Sequence, residues 1–143
     1  MERLIQMLEK IHELLEQIYG ITSNQTTVLL ESGQEAIDEE AALKMMEDMV
    51  DYKEEIISKV NQLEEQFEKE YEPYKGRINE PTYVKVFKKH VQDILDMKKN
   101  ISEAERNNIT ILNSVMNKRS RKMNINKTAQ EVSAAYKKQQ IKP

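Results

Sequence analysis

The side chains that could carry catalysis in this sequence are few. The two histidines, His12 and His90, each lie in a stretch with helical periodicity, and the sequence contains no cysteine. Acidic residues occur as adjacent pairs such as Glu54-Glu55, and neighbouring residues on a helix point in different directions. A di-metal bundle needs a Glu-x-x-His motif from each of two facing helices, and the sequence contains one such step, Glu9 to His12, and no Gly-rich phosphate loop. We therefore expect a protein that is not an enzyme and that uses no cofactor or metal ion.

Methionine is the residue type that points to a binding function. Met45, Met46 and Met49 are clustered among eight methionines, and flexible Met side chains suit surfaces that repack around different helices. The same residues would also serve to fill gaps in a core. If part of an apolar seam remains uncovered, a helix of a partner protein could complete the bundle.

Charge is divided unevenly along the chain. Residues 1–72 contain 19 acidic and 6 basic side chains, whereas residues 73–143 contain 6 acidic and 16 basic ones. Halves of opposite sign attract each other if their helices pack antiparallel, and a basic tail used for binding is the alternative explanation. Nucleic acid is a poor candidate for a partner, because Tyr136 is the only aromatic residue of the tail and the sequence pI is about 5.6.

Apolar residues spaced alternately by three and four predict three long helices. The first covers residues 4–29 and stops near Ser32-Gly33, the second runs from about 36 to 72, and the third from about 81 to 122. The predicted seams consist of Leu4, Leu8, Ile11, Leu15, Ile18 and Leu29; of Met45, Met49, Tyr52, Ile56, Val60, Leu63, Phe67 and Tyr71; and of Val84, Phe87, Val91, Ile94, Lys98, Ile101, Glu105, Asn108, Leu112 and Val115. We expect an all-α fold in which three long antiparallel helices form a hairpin or bundle of coiled-coil type.

The predicted bundle comprises residues 1–122, and residues 123–143 form a basic tail. Large apolar residues are sparse in this segment, so it cannot bury enough surface to fold alone. Ala129, Val132 and Tyr136 nevertheless share one helical face. The tail is therefore expected to be mobile and partly disordered, with a latent amphipathic helix.

Membrane insertion and secretion are both disfavoured by the sequence. No apolar run approaches the ~18 residues of a spanning helix, and the N-terminal residues lack the charge and apolar run of a signal peptide. The absence of cysteine suits a reducing compartment. We expect a cytoplasmic protein.

The third helix and the tail together carry a recognisable series of residues: Ile94-Leu95, Ile101, Glu105, Asn108, Leu112 and Ala134-Ala135-Tyr136. This series resembles the flagellar type III export chaperones of the FlgN type, whose third helix contains a Glu-x-x-Asn step. The resemblance covers most of the chain. It implies a cytosolic chaperone that binds the C-terminal helices of hook–filament junction proteins, prevents their premature polymerisation and delivers them to the export gate. It implies no nucleotide and no metal ion.

The third seam and the tail are where we expect a client helix to bind. The candidate client-binding residues are Ile101, Glu105, Asn108, Leu112, Val115, Met116, Met123 and Val132, and the candidate contact with the export gate is Tyr136. A buried Asn in such a seam also fixes helix register, which is the structural explanation for Asn108. The positive charge of the tail would speed the encounter with an acidic partner.

Other functions remain open at this point. A structural coiled-coil protein would self-associate through the seam of residues 4–29 and would have no distinct client. A related chaperone for filament cap or rod proteins would have the same sequence features. An export chaperone of this kind is expected to be a monomer or a weak homodimer.

Overall fold

A computed structural model of the chain describes residues 2–34, 38–76, 80–120 and 127–139, and these form an all-α structure. The helices are α1 (Glu2–Gly33), α2 (Glu39–Tyr71), α3 (Pro81–Ser120) and α4 (Lys127–Lys138), and a short 3-10 turn (Glu72–Tyr74) follows α2. The all-α class predicted from the sequence is confirmed. The fourth helix was predicted only as a latent one.

Local sequence explains where the helices begin and end. α1 ends at Gly33, as predicted, and α3 begins at Pro81, whose fixed φ suits the first helical turn. The side chain of Asp38 caps α2, because it accepts a hydrogen bond from the backbone N–H of Ala41 at 3.4 Å. In the connection to α3, Gly76 has a φ of 84°, which residues with a Cβ rarely adopt.

α1 packs along both α2 and α3. Arg3 pairs with Glu70 at 2.6 Å and Gln25 accepts a hydrogen bond from Lys53 at 2.9 Å, so α1 and α2 run antiparallel. α3 returns in the direction of α1, since His90 lies 3.9 Å from Glu9. Near the other end of the same two helices, Asn108 donates a hydrogen bond to the backbone oxygen of Thr22 at 2.9 Å.

Two apolar clusters fill the described structure. The first contains Leu4, Met7, Leu8, Ile11, Leu14, Leu15, Ile18, Ile56, Val60, Phe87, Ile94 and Ile101. The second contains Val28, Leu29, Ala42, Met46, Val50, Leu112, Val132 and Tyr136. The predicted seam of α1 is therefore buried throughout, and α4 contributes two residues to the second cluster.

The predicted seam of α2 is wrong in its first half. Met45 and Tyr52 are 48% and 56% exposed, whereas Met46 and Val50 are buried. The buried stripe continues through Lys53, a charged residue that an apolar template passes over. Register in this half of α2 is therefore set by a buried polar contact as well as by apolar packing.

The tail also differs from the sequence prediction. Residues 127–138 form α4, and this helix is docked on α2 and α3 instead of standing apart from the bundle. A helix of 12 residues is marginal in water by itself, so α4 depends on this docking. Residues 121–126 and 140–143 lie outside the described part of the chain, and so does the predicted client contact Met123.

Two adjacent methionines test the corrected register of α2. Met46→Ala removes a buried side chain, so we expect the free energy of unfolding to fall by about 2–4 kcal/mol. Met45→Ala is the matched control, because it changes the same residue type at an exposed position and should cost less than about 0.5 kcal/mol. Chemical denaturation followed by circular dichroism measures both values. Equal losses of unfolding free energy in the two variants would show that this register of α2 is wrong.

Candidate functional site: the polar junction beneath the fourth helix

Polar side chains from all four helices are buried beneath α4, where α4 packs on α2 and α3. We call this group the polar junction, and it consists of Thr22 and Gln25 from α1, Lys53 from α2, Glu105 and Asn108 from α3, and Tyr136 from α4. None of these residues is more than 1% exposed. Buried polar atoms need partners inside the protein, so the contacts between these six residues decide how the four helices fit together.

Lys53 is the charge at the centre of the polar junction. Its Nζ lies 3.3 Å from Oε1 of Glu105 and donates hydrogen bonds to Oε1 of Gln25 at 2.9 Å and to Oγ1 of Thr22 at 3.3 Å. The ammonium also lies 4.6 Å from the centroid of the Tyr136 ring, a cation–π distance. Burial lowers the pKa of Lys53, and the negative charge of Glu105 opposes that effect.

Asn108 connects three helices through one amide group. Its Nδ2 donates to the backbone oxygen of Thr22 at 2.9 Å and to the hydroxyl of Tyr136 at 2.8 Å. Its Oδ1 accepts a hydrogen bond from the hydroxyl of Thr26. Both N–H groups of the amide are therefore used, one towards α1 and the other towards α4.

The described side chains at positions 132–139 hold α4 in place. Tyr136 and Val132 enter the second apolar cluster, and Nε2 of Gln139 donates to the backbone oxygen of Val50 in α2 at 2.7 Å. Burial raises the pKa of the Tyr136 phenol, so the docked form requires this group to be neutral. α4 therefore lies over a groove between α2 and α3, with its aromatic ring against Lys53.

The buried ion pair contributes more to specificity than to stability. Apolar replacement of a buried pair is often neutral, whereas removal of one partner costs about 3–5 kcal/mol because the other charge stays buried. Lys53 contacts groups from the three other helices, so a slip of any one of them would remove a partner from its buried ammonium group. We infer that the polar junction fixes the axial register of the four described helices.

The predicted client-binding residues are covered by the chain itself. Ile101, Glu105, Asn108, Leu112 and Val132 are buried, and Val115 and Met116 are half-buried. The side chain of Val115 on α3 lies against the end of α1. A Cβ atom added at Gly33 would be 3.2 Å from Cγ2 of Val115. Tyr136, the predicted contact with the export gate, points into the polar junction.

Sequence reasoning missed half of the polar junction. Thr22 and Gln25 are the polar residues that interrupt the apolar spacing of α1, and Lys53 lies opposite them on α2. A buried polar contact can be suspected where two polar residues replace apolar ones in the seam of one helix and the next helix offers a lysine opposite them. The sequence alone does not show which lysine of α2 faces them.

A metal-binding cluster and a membrane-spanning helix are both absent from the described part of the chain. Within it, no three His, Asp or Glu side chains come together in a way that could hold a metal ion. None of its helices combines the length and the apolar character needed to cross a bilayer. Comparisons with models of protein families, with curated proteins and with solved structures give no match.

Substitution of Lys53 tests whether the ion pair is as buried as the geometry indicates. Lys53→Met leaves Glu105 charged in the core, so we expect a loss of about 3–5 kcal/mol in the free energy of unfolding. The double variant Lys53→Met with Glu105→Leu should recover at least half of that loss. Lys59→Met, at an exposed position of α2, is the control and should change little. A small effect of Lys53→Met would contradict the buried pair.

The docking of α4 should weaken at alkaline pH. The phenol of Tyr136 ionises near its ordinary pKa of 10.0 in the unfolded chain and above it in the folded one. Its contribution to stability is thus present below about pH 10 and is lost as the pH rises further, at up to about 1.4 kcal/mol per pH unit. Tyr136→Phe removes the ionisable group. We expect the stability of wild type relative to Tyr136→Phe to fall between about pH 9 and pH 11; a constant difference would contradict the buried phenol.

Proposed function

We propose that this chain is a cytosolic chaperone for protein export that binds a helical segment of its client in the groove between α2 and α3. In the free chain α4 occupies this place. Following the sequence resemblance, the client would be a C-terminal helix of a hook–filament junction protein. The chaperone would keep that helix from polymerising and would deliver it to the export gate.

The observation that carries this proposal is the docking of α4 itself. The groove accepts an amphipathic helix that inserts Val132 and Tyr136, four residues apart, against the second apolar cluster. A client helix with apolar residues at the same spacing would cover the same surface, as helices do in many peptide-binding grooves. Asn108 and Leu112, two of the candidate client-binding residues of α3, lie beneath α4 in this arrangement.

α4 is suited to being exchanged for another helix. It is short, the large side chains that it buries among its described residues are Val132 and Tyr136, and each of the hydrogen bonds made by Tyr136 and Gln139 contributes only about 0.5–1.5 kcal/mol net. A longer client helix with more apolar residues would therefore compete well. The competing helix must also supply an acceptor for Asn108 and a partner near Lys53, because buried polar groups without partners are costly. This requirement would make the chaperone selective.

Exchange of α4 would also change what the chaperone presents to other proteins. Tyr136 is buried while α4 is docked, and Lys137 and Lys138 follow it in the last helical turn. Release of α4 would expose the aromatic ring together with these positive charges. A contact between Tyr136 and the export gate would then form only when a client is bound.

Binding of junction-protein segments to variants of α4 tests the proposal. Val132→Ala with Tyr136→Ala weakens the docking of α4, so it should tighten the binding of C-terminal helical segments of hook–filament junction proteins by about tenfold or more. Lys137→Ala with Lys138→Ala changes exposed positions of α4 and is the control, with little expected effect. Isothermal titration calorimetry gives the affinities. Weaker binding by the Val132/Tyr136 variant would contradict the exchange, and no binding by any variant would contradict the chaperone role.

A further inference from the structure

The face of α3 that α4 covers is partly uncovered at the other end of the helix. Residues of this face alternate by three and four along α3: its second half includes Ile109, Leu112 and Met116, and its first half includes Val84, Lys88, Val91 and Leu95. Between the halves the same spacing passes through Lys98, Ser102 and Glu105, and Lys98 pairs with Glu64 of α2 at 2.7 Å. The second half packs against the cluster that contains Val132 and Tyr136 of α4. In the first half Val91 is 42% exposed and Leu95 is 49% exposed.

This first half forms a groove with the end of α2, which we call the open groove. It has a volume of about 670 Å³, and its apolar lining is Phe67 and Tyr71 from α2 with Val84, Phe87 and Val91 from α3. The aromatic rings are in contact, with centroids 5.7 Å apart for Phe67 and Tyr71 and 6.3 Å for Tyr71 and Phe87. Exposed apolar surface with aromatic residues is typical of protein–protein contacts.

The α2 side of the open groove has an acidic rim. Glu70, the residue before Tyr71, pairs with Arg3 of α1, so the opposite edge of α2 faces away from α1. On that edge Glu68 and Glu72 follow Phe67 and Tyr71 in the sequence, and both are exposed.

The α3 side has a basic rim. His90, the residue before Val91, faces Glu9 of α1, so the opposite edge of α3 also points away from α1. Lys88 lines the groove on that edge, and Lys85 lies one turn before it. Both lysines are exposed. The two walls of the open groove therefore carry opposite charge.

We propose that the open groove binds an amphipathic helix of a partner protein, with an acidic edge towards α3 and a basic edge towards α2. The observations behind this choice are the continuity with the place where α4 lies and the charge of the two rims. A helix in this position would lie end to end with α4. Its binding leaves α4 in place, so this second site is separate from the exchange proposed above.

A second copy of the chain does not fit the open groove equally well. In a symmetric dimer, the acidic rim of one copy can face the basic rim of the other only if the two-fold axis runs parallel to the helices. This axis also brings α4 of one copy opposite α4 of the other, which holds the two open grooves apart. A two-fold axis perpendicular to the helices keeps the two α4 helices apart, but it places the acidic rim of one copy against the acidic rim of the other. A single helix meets neither obstacle.

Charge reversal of the rims provides the test. The probe is a designed helical peptide with a Leu stripe, Glu along one edge and Lys along the other, and its affinity is measured by fluorescence anisotropy. Lys85→Glu with Lys88→Glu, or Glu68→Lys with Glu72→Lys, gives the groove two walls of one sign, so binding should weaken by about tenfold. Both variants place charge where the helix dipole favours it, acid near the start of α3 and base near the end of α2, so the fold is retained.

Combination of the four substitutions exchanges the two rims. The peptide can then bind in the reverse direction, so we expect an affinity within about threefold of that of the unmodified chain. Val91→Glu, in the lining of the open groove, should abolish binding, whereas Leu30→Glu on α1, at a similarly exposed position, should not. Equal affinity for all the rim variants, or no saturable binding to the unmodified chain, would overturn the proposal. Dimerisation that Val91→Glu abolishes would also overturn it, in favour of a second copy as the occupant.

Discussion

The charge of Lys53 is the constraint on which the described structure depends. An ammonium group in the core requires its donors to be satisfied, and the acceptors come from α1 and α3, with the ring of Tyr136 from α4 beside them. Apolar seams of Leu and Ile tolerate slips of one turn at moderate cost, because neighbouring positions are chemically alike. The Lys53–Glu105 pair does not tolerate such a slip, because both charges would then be buried without partners. The Lys53–Glu105 pair therefore gives α2 and α3 one register, and the ring of Tyr136 beside Lys53 helps to position α4.

The same constraint connects the fold to the proposed function. α4 completes the polar junction but contributes few large apolar side chains, so it is docked specifically and only moderately tightly. The groove between α2 and α3 is thus occupied by α4 in one half and is uncovered in the other. The two proposed sites would favour different partners: the first would require a group that satisfies Asn108 and Lys53, and the second would require complementary charge on the edges of a helix.

The sequence predicted the helices well and the tertiary contacts less well. The seam of α1 and the ends at Gly33 and Pro81 depend on local patterns, and these predictions are confirmed. The first half of α2 was predicted one position out, because an apolar template selects Met45 and Tyr52 and ignores Lys53. Glu105 and Asn108 were predicted to lie in the seam of the third helix, and both are buried, but the partner of Asn108 in α4 lies 28 residues away and could not be inferred. The docking of α4 could not be predicted from the composition of the tail, because it depends on contacts of Tyr136 with residues distant in the sequence.

Native-state hydrogen exchange tests most directly whether α4 is a separately releasable helix. The account predicts that amides of α4 exchange through a local opening with a lower free energy than global unfolding, while the central turns of α1 and α2 exchange only on global unfolding. Tyr136→Phe should lower the opening free energy of α4 more than that of the other helices. If α4 exchanges only together with α1 and α2, and Tyr136→Phe lowers all of them equally, α4 is an integral part of the bundle and the account is wrong.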